Sequence, residues 1–171
     1  MTACNQSQND GKAALKIAFD QEPRTLDPRQ GTDLQTANVL QMLYEGLMRI
    51  DYHGQVVPGI AESYDLSSDL KTYTFILRET TWSDGTALTA KDFEETWKSL
   101  LNPSFPAPNA YQFYYIKGAK AYKEGKGKIE DVGIKSLDPK HLVVELESPA
   151  PFFPKLVASF FICPLVPSYE S

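Results

Sequence analysis

Hydrophobic positions in this chain repeat with two different periods, and each change of period marks an element. Tyr73, Phe75 and Leu77 alternate with Thr74, Ile76 and Arg78. This aromatic and β-branched period of two predicts a strand with one well-buried face. Asp84-Gly85 predicts a turn, because glycine tolerates the positive φ that such turns require. Beyond it Phe93, Trp97, Leu100 and Leu101 stand at i, i+4, i+7 and i+8, one face of a helix. The Thr89 hydroxyl precedes them, placed to cap the amide of Asp92, and Asn102-Pro103 stops the helix.

The remaining elements follow from the same patterns. Leu15, Ile17 and Phe19 predict a first strand over 14–19, followed by a turn-rich segment at 21–28 in which Pro23 and Pro28 each fix φ. Glu22, Leu26, Asp27 and Pro28 read as a structural turn. Leu34, Ala37, Leu40, Met42 and Leu43 sketch an amphipathic helix that closes at Gly46 in a left-handed position. A short strand at 47–50 turns back through Asp51-Tyr52-His53-Gly54, and 64–66 with 73–77 makes a further hairpin. After a proline-rich loop at 103–108, 111–122 has helical character. Segments 132–136 and 141–146 read as an antiparallel pair turned at Asp138-Pro139. A short helix at 151–157, an apolar strand at 160–166 and a helix entrance at 167–170 complete the chain. These elements predict an α/β (α+β) fold, a mostly antiparallel sheet with flanking helices.

Composition narrows the function classes. With 171 residues, the chain accommodates one domain with a substantial core, or one domain plus part of another. Its 42% hydrophobic and 12% aromatic residues against 23% charged predict a folded chain. A net charge of -5 disfavours generic binding to nucleic acid or anionic membrane, whose phosphates attract cations. No apolar run approaches the roughly 18 to 20 residues that span a bilayer.

The inventory of reactive groups gives no enzyme, and neither metal nor cofactor is expected. His53 and His141 lack partner spacing and read as surface histidines. There is no G-x-S-x-G elbow, and the apolar run around Cys163 blunts its nucleophilicity. Glu94 and Glu95 are adjacent on a helix and point in different directions, a poor basis for a paired acid and base. Lys117, Lys120, Lys123, Lys126 and Lys128 form a basic run, read as a solvated helix face and its loop. No phosphate loop accompanies the nearby glycines. Trp82 and Trp97 read as core residues.

An ordered set of motifs carries more information. T-Y-T-F-x-L-R at 72–78, W-S-D-G-T at 82–86, T-A-K-D-F at 89–93 and Trp97 are joined by E-P-R-T-L-D-P at 22–28 and Y-E-G-L at 44–47. D-Y-H-G-Q-V-V-P-G-I-A-E-S-Y at 51–64 and S-P-A-P-F-F at 148–153 extend the set over almost the whole chain. Together they resemble the oligopeptide-binding members of the extracytoplasmic solute-binding proteins that serve ABC importers. The resemblance implies a receptor that captures extended oligopeptides by main-chain hydrogen bonds, with ABC permease subunits as membrane partners and no nucleic acid. Receptors of the same family for dipeptides or a metal chelate share these motifs. A stand-alone interaction or scaffold domain without a small ligand is the alternative outside that class.

The resemblance also implies a domain plan within a type II periplasmic-binding-protein-like fold. Residues 1–13 correspond to a lipoprotein remnant and tether, 14–44 to an incomplete first segment of lobe I, 45–168 to an accessory domain, and 169–171 to the start of a further element. The start M-T-A-C is similar to the end of a bacterial lipoprotein signal, with Cys4 as the lipidated residue and an extracytoplasmic location. Gly31, Thr32, Asp33 and Leu34 match the family segment that lines the cleft. Asp33 has two readings, facing a ligand ammonium or capping the helix that starts there. In the loop Pro108-Asn109-Ala110-Tyr111, relatives carry a ligand-reaching Tyr where this chain has Asn109, and Tyr111 is the nearest aromatic.

Overall fold

The structure, a computed structural model, describes residues 16–159 and 162–165. Helix α1 (Leu34–Leu43) leads into a hairpin of β1 (Met48–Ile50) and β2 (Val56–Pro58), turned at 51–54. Strands β3 (Ala61–Leu66) and β4 (Thr72–Leu77) form the next hairpin. Helix α2 (Ala90–Leu100), a 3-10 turn at Ala110–Tyr115 and helix α3 (Ala119–Lys123) follow. The chain returns through β5 (Ile134–Ser136) and β6 (His141–Glu145) to the short helix α4 (Phe153–Leu156). The main sheet is antiparallel in the order β3-β4-β6-β5.

Burial follows the alternation. Tyr73, Phe75 and Leu77 of β4 are buried, and Leu142 and Val144 of β6 pair beside them on the same face. Against that face lie the Phe153 ring of α4, 5.2 Å from Tyr73, and the apolar side of α2. Phe93, Trp97, Leu100 and Leu101 are all fully buried, as their spacing predicts. Thr89 and Asp92 close a capping box: the Asp92 carboxylate accepts from the Thr89 amide at 2.6 Å and from its hydroxyl at 3.2 Å. Gly85 turns the chain at φ +87° before α2. Trp97 is core, and Trp82 is half-buried at the margin of the core cluster.

Several expectations are corrected. Residues 16–19 form no strand, because among the described residues no strand lies beside them to complete a ladder; 14 and 15 lie outside those residues. The apolar strand expected at 160–166 is absent over 162–165, while 160, 161, 166 and the helix entrance at 167–170 fall outside the description. Instead, 162–165 serves α2: the Ile162 carbonyl accepts from Trp97 Nε1 at 2.9 Å, and the Leu165 amide donates to Thr96 Oγ1 at 2.9 Å. Helical character at 111–122 is split, because Ile116 bridges to Leu146 and Gly118 turns the chain at φ +69° before α3.

Helix α1 also differs from its pattern. It ends at Leu43 with Tyr44 extended, so Gly46 is no left-handed cap. Glycine is required there by close approach: a Cβ on Gly46 would stand 2.7 Å from the Val157 carbonyl oxygen. The Gly46 carbonyl in turn accepts from the Ile60 amide at 3.0 Å. Of the predicted apolar stripe only Leu40 is buried, together with Thr36, whereas Leu34, Met42 and Leu43 are exposed.

The basic run divides into two kinds of lysine. Lys117 pairs with Glu145 at 2.7 Å and Lys126 with Glu124 at 2.8 Å on the surface, contacts of little energetic weight. Lys123 instead donates to the carbonyls of Leu100, Asn102 and Phe105 at 3.1, 2.9 and 2.6 Å, closing the C-terminal end of α2.

Candidate functional site

The candidate site residues fall in the turn at 27–34 and the loop at 102–111. In the turn, Arg29 folds back on Asp27, with Nε 3.0 Å from Oδ1 and Nη2 2.9 Å from Oδ2. Both side chains are only 7% exposed, so this is a buried, two-pronged ion pair. The Arg29 guanidinium also reaches out of the turn. Its Nη1 donates to Ser99 Oγ of α2 at 2.8 Å, and its carbon lies 4.4 Å above the Phe105 ring. Two residues on, the Gly31 carbonyl accepts from Asn109 Nδ2 at 2.8 Å. The turn is therefore stapled to the body of the sheet domain across 70 to 78 positions of sequence.

Of the six residues expected to contact a peptide, the structure bonds Gly31 directly to Asn109. Thr32 is exposed, Leu34 is 78% exposed and Tyr111 is 60% exposed, its hydroxyl 3.4 Å from Gln112 Nε2. Asp33 is the N-cap of α1: one carboxylate oxygen accepts the Thr36 amide at 2.8 Å and the other its hydroxyl at 2.9 Å. Cys4 lies outside the described residues. Sequence reasoning missed Arg29, although Asp27-Pro28 drew attention to the turn. A single arginine two positions after an aspartate carries no spacing that points to Ser99 or Phe105.

The Asp33 cap makes α1 sensitive to acid. Hydrogen bonds from the Thr36 amide, and then from its hydroxyl, hold the Asp33 carboxyl below its ordinary value of 3.8. The folded state therefore binds this proton less readily than the unfolded chain. The contribution of the cap is complete above the ordinary value and is lost as pH falls through the lowered one. Amide exchange at 34–37 is expected to accelerate below about pH 4 in the unaltered protein, relative to β4. Asp33→Asn should abolish that local response, and an unchanged response in the variant would remove Asp33 as its origin.

The reactive groups elsewhere are engaged structurally. Burial pushes the Cys163 thiol up to about 12, so it carries no thiolate at neutral pH. Glu94 bonds Lys98 and Ser136 while Glu95 pairs with Lys91, the divergent directions expected of neighbours on a helix. His141 Nδ1 lies 2.8 Å from the Asp138 carboxylate at the edge of β6.

Comparison with known proteins gives the family. The family described as bacterial extracellular solute-binding proteins, family 5 middle, matches residues 55–169. The chain belongs to this family. It is 40% identical over 161 residues to the oligopeptide-binding protein OppA of Bacillus subtilis, covering 94% of this chain and 30% of that protein. It is 36% identical over 156 residues to the dipeptide-binding protein DppE of the same organism, covering 91% and 29%. Among solved structures, the substrate-binding domain of an oligopeptide ABC transporter from Bacillus anthracis superposes with a TM-score of 0.87 at 38% identity, covering 90% of this chain and 30% of that one. The murein tripeptide-binding protein MppA of Escherichia coli gives 0.84 at 33%. The family 5 chain described here thus spans about 30% of the length of these relatives.

Proposed function

We propose that this family 5 chain forms part of an extracytoplasmic receptor that captures extended oligopeptides for an ABC importer. The carrying observation is the Asn109–Gly31 bond, which ties the 31–34 segment to the 109–111 loop. Thr32 and Leu34, close to Gly31 in the chain, and Tyr111, two positions after Asn109, are exposed. An extended peptide offers the same main-chain donors and acceptors whatever its sequence, so such a wall binds many peptides. Waters between wall and side chains accommodate their variety. The protein acts by binding, with 14–44 contributing to lobe I and 45–168 forming the accessory domain. Cys4 serves as the lipid attachment point, and permease subunits receive the loaded receptor.

A second reading, a receptor for dipeptides, is supported by the likeness to DppE. Native mass spectrometry separates the two. The protein is purified under gentle conditions together with whatever chain flanks residues 1–171. A ladder of bound masses corresponding to peptides of three or more residues is the expected result. Dipeptides alone would favour the second reading. A bare protein that also takes up no added oligopeptide would overturn both.

A further inference from the structure

The family match does not assign Asn109 a role, and its geometry does. We propose that Asn109 is a positioning residue that fixes how the 31–34 segment is presented to a peptide, rather than a residue that touches the peptide. This rests on the receptor reading above and adds the part played by one side chain in it.

Only the amide nitrogen of an asparagine can donate to a carbonyl, so the 2.8 Å bond to Gly31 fixes which way the Asn109 side chain faces. The donor is held by a rigid base. Asn109 heads the 3-10 turn Ala110–Tyr115, where its carbonyl accepts the Gln112 amide at 3.0 Å. Ala110 and Phe113 of that turn are buried, and the Phe113 ring meets Trp97 edge-on at 5.6 Å. The acceptor is held as firmly on either side. Upstream, Arg29 is tied to Ser99 and Phe105; downstream, Asp33 is tied to Thr36, whose hydroxyl accepts the Arg24 amide at 3.1 Å. Gly31 lies between these two anchors, and the Asn109 side chain joins it to the 102–111 loop. The Asn109 nitrogen is directed at Gly31, whereas Thr32, Leu34 and Tyr111 are exposed.

The test uses Asn109→Asp, which keeps the shape but removes the donor and sets a carboxylate against the Gly31 carbonyl. Asn109→Ala serves if the carboxylate disturbs the loop. Without peptide, amide exchange at 32–34 is expected to rise about two- to tenfold, the range of one net hydrogen bond, while exchange in β4 stays constant. Affinity for tetraalanine, measured by calorimetry, should fall by a similar factor. Tyr111→Ala should lower that affinity with no change in exchange at 32–34. Unchanged exchange at 32–34 in both Asn109 variants overturns the positioning role. Lost affinity with unchanged exchange does so as well, since it marks a direct contact. If the unaltered protein binds neither tetraalanine nor any other oligopeptide, the receptor reading fails and with it the role toward peptide. Raised exchange in that case would show the Asn109–Gly31 clip to be structural alone.

Discussion

Arg29→Ala is expected to destabilise the turn at 24–36 by about 3–5 kcal/mol, the cost of leaving one partner of a buried ion pair uncompensated. Asp27 would remain enclosed with its counter-charge gone, and the contacts with Ser99 and Phe105 would go with it. Hydrogen exchange should localise the loss. Amides at 24–36 would exchange faster by two orders of magnitude or more, and those of β4 by far less, because the turn joins the sheet domain through a few long-range ties. Asp27→Asn combined with Arg29→Met should recover much of the loss, since it removes both charges and keeps the long side chain over Phe105. Equal exchange in the single variant and the unaltered protein would show that the ion pair does not hold the turn.

Trp97→Ala is expected to cost about 3–5 kcal/mol across the whole domain. The indole fills the space between Phe93 and Phe113 at 6.0 and 5.6 Å, and its Nε1 holds the Ile162 carbonyl. Trp97→Phe separates the two roles: it retains most of the apolar volume and loses the hydrogen bond, at about 1–3 kcal/mol. Denaturant midpoints read both. A phenylalanine variant as damaged as the alanine one would mean that the bond to Ile162, and not the packing, dominates at this position.

The sequence made the sheet and α2 legible because their determinants are local. A period of two at 72–77 and the spacing Phe93, Trp97, Leu100, Leu101 each name a buried face without reference to anything distant. Helix α1 was legible as a helix but not in orientation. Its leucines and methionine satisfy the helical period, yet burial depends on which side meets a neighbour, and Thr36 and Leu40 face one here. The segment at 162–165 has strand-like composition but spends its hydrogen bonds on Trp97 and Thr96. No local pattern announces such a use. For the candidate site, motif position directed attention to both 31–34 and 109–111, and the structure joins them through one bond. The bond that joins them spans 78 positions, and asparagine at 109 looked like a lost contact until its acceptor was in view. Lys123 was hidden in the same way among four neighbours that do little more than face water.

The crossing at Gly46 bears on how the molecule can move. There main chain lies directly against main chain, with Val157 on one side and a bond from Ile60 on the other. Side chains normally act as bearings, changing rotamer so that one segment slides over another. The three atoms nearest a Cβ on Gly46 are all main chain, so 46–48 is held against 157–158 with no side chain of its own to yield at Gly46. The joint works as a weld. Any opening and closing of a cleft on this domain would pivot elsewhere, and 46–48, the start of β3 and the end of α4 would travel together.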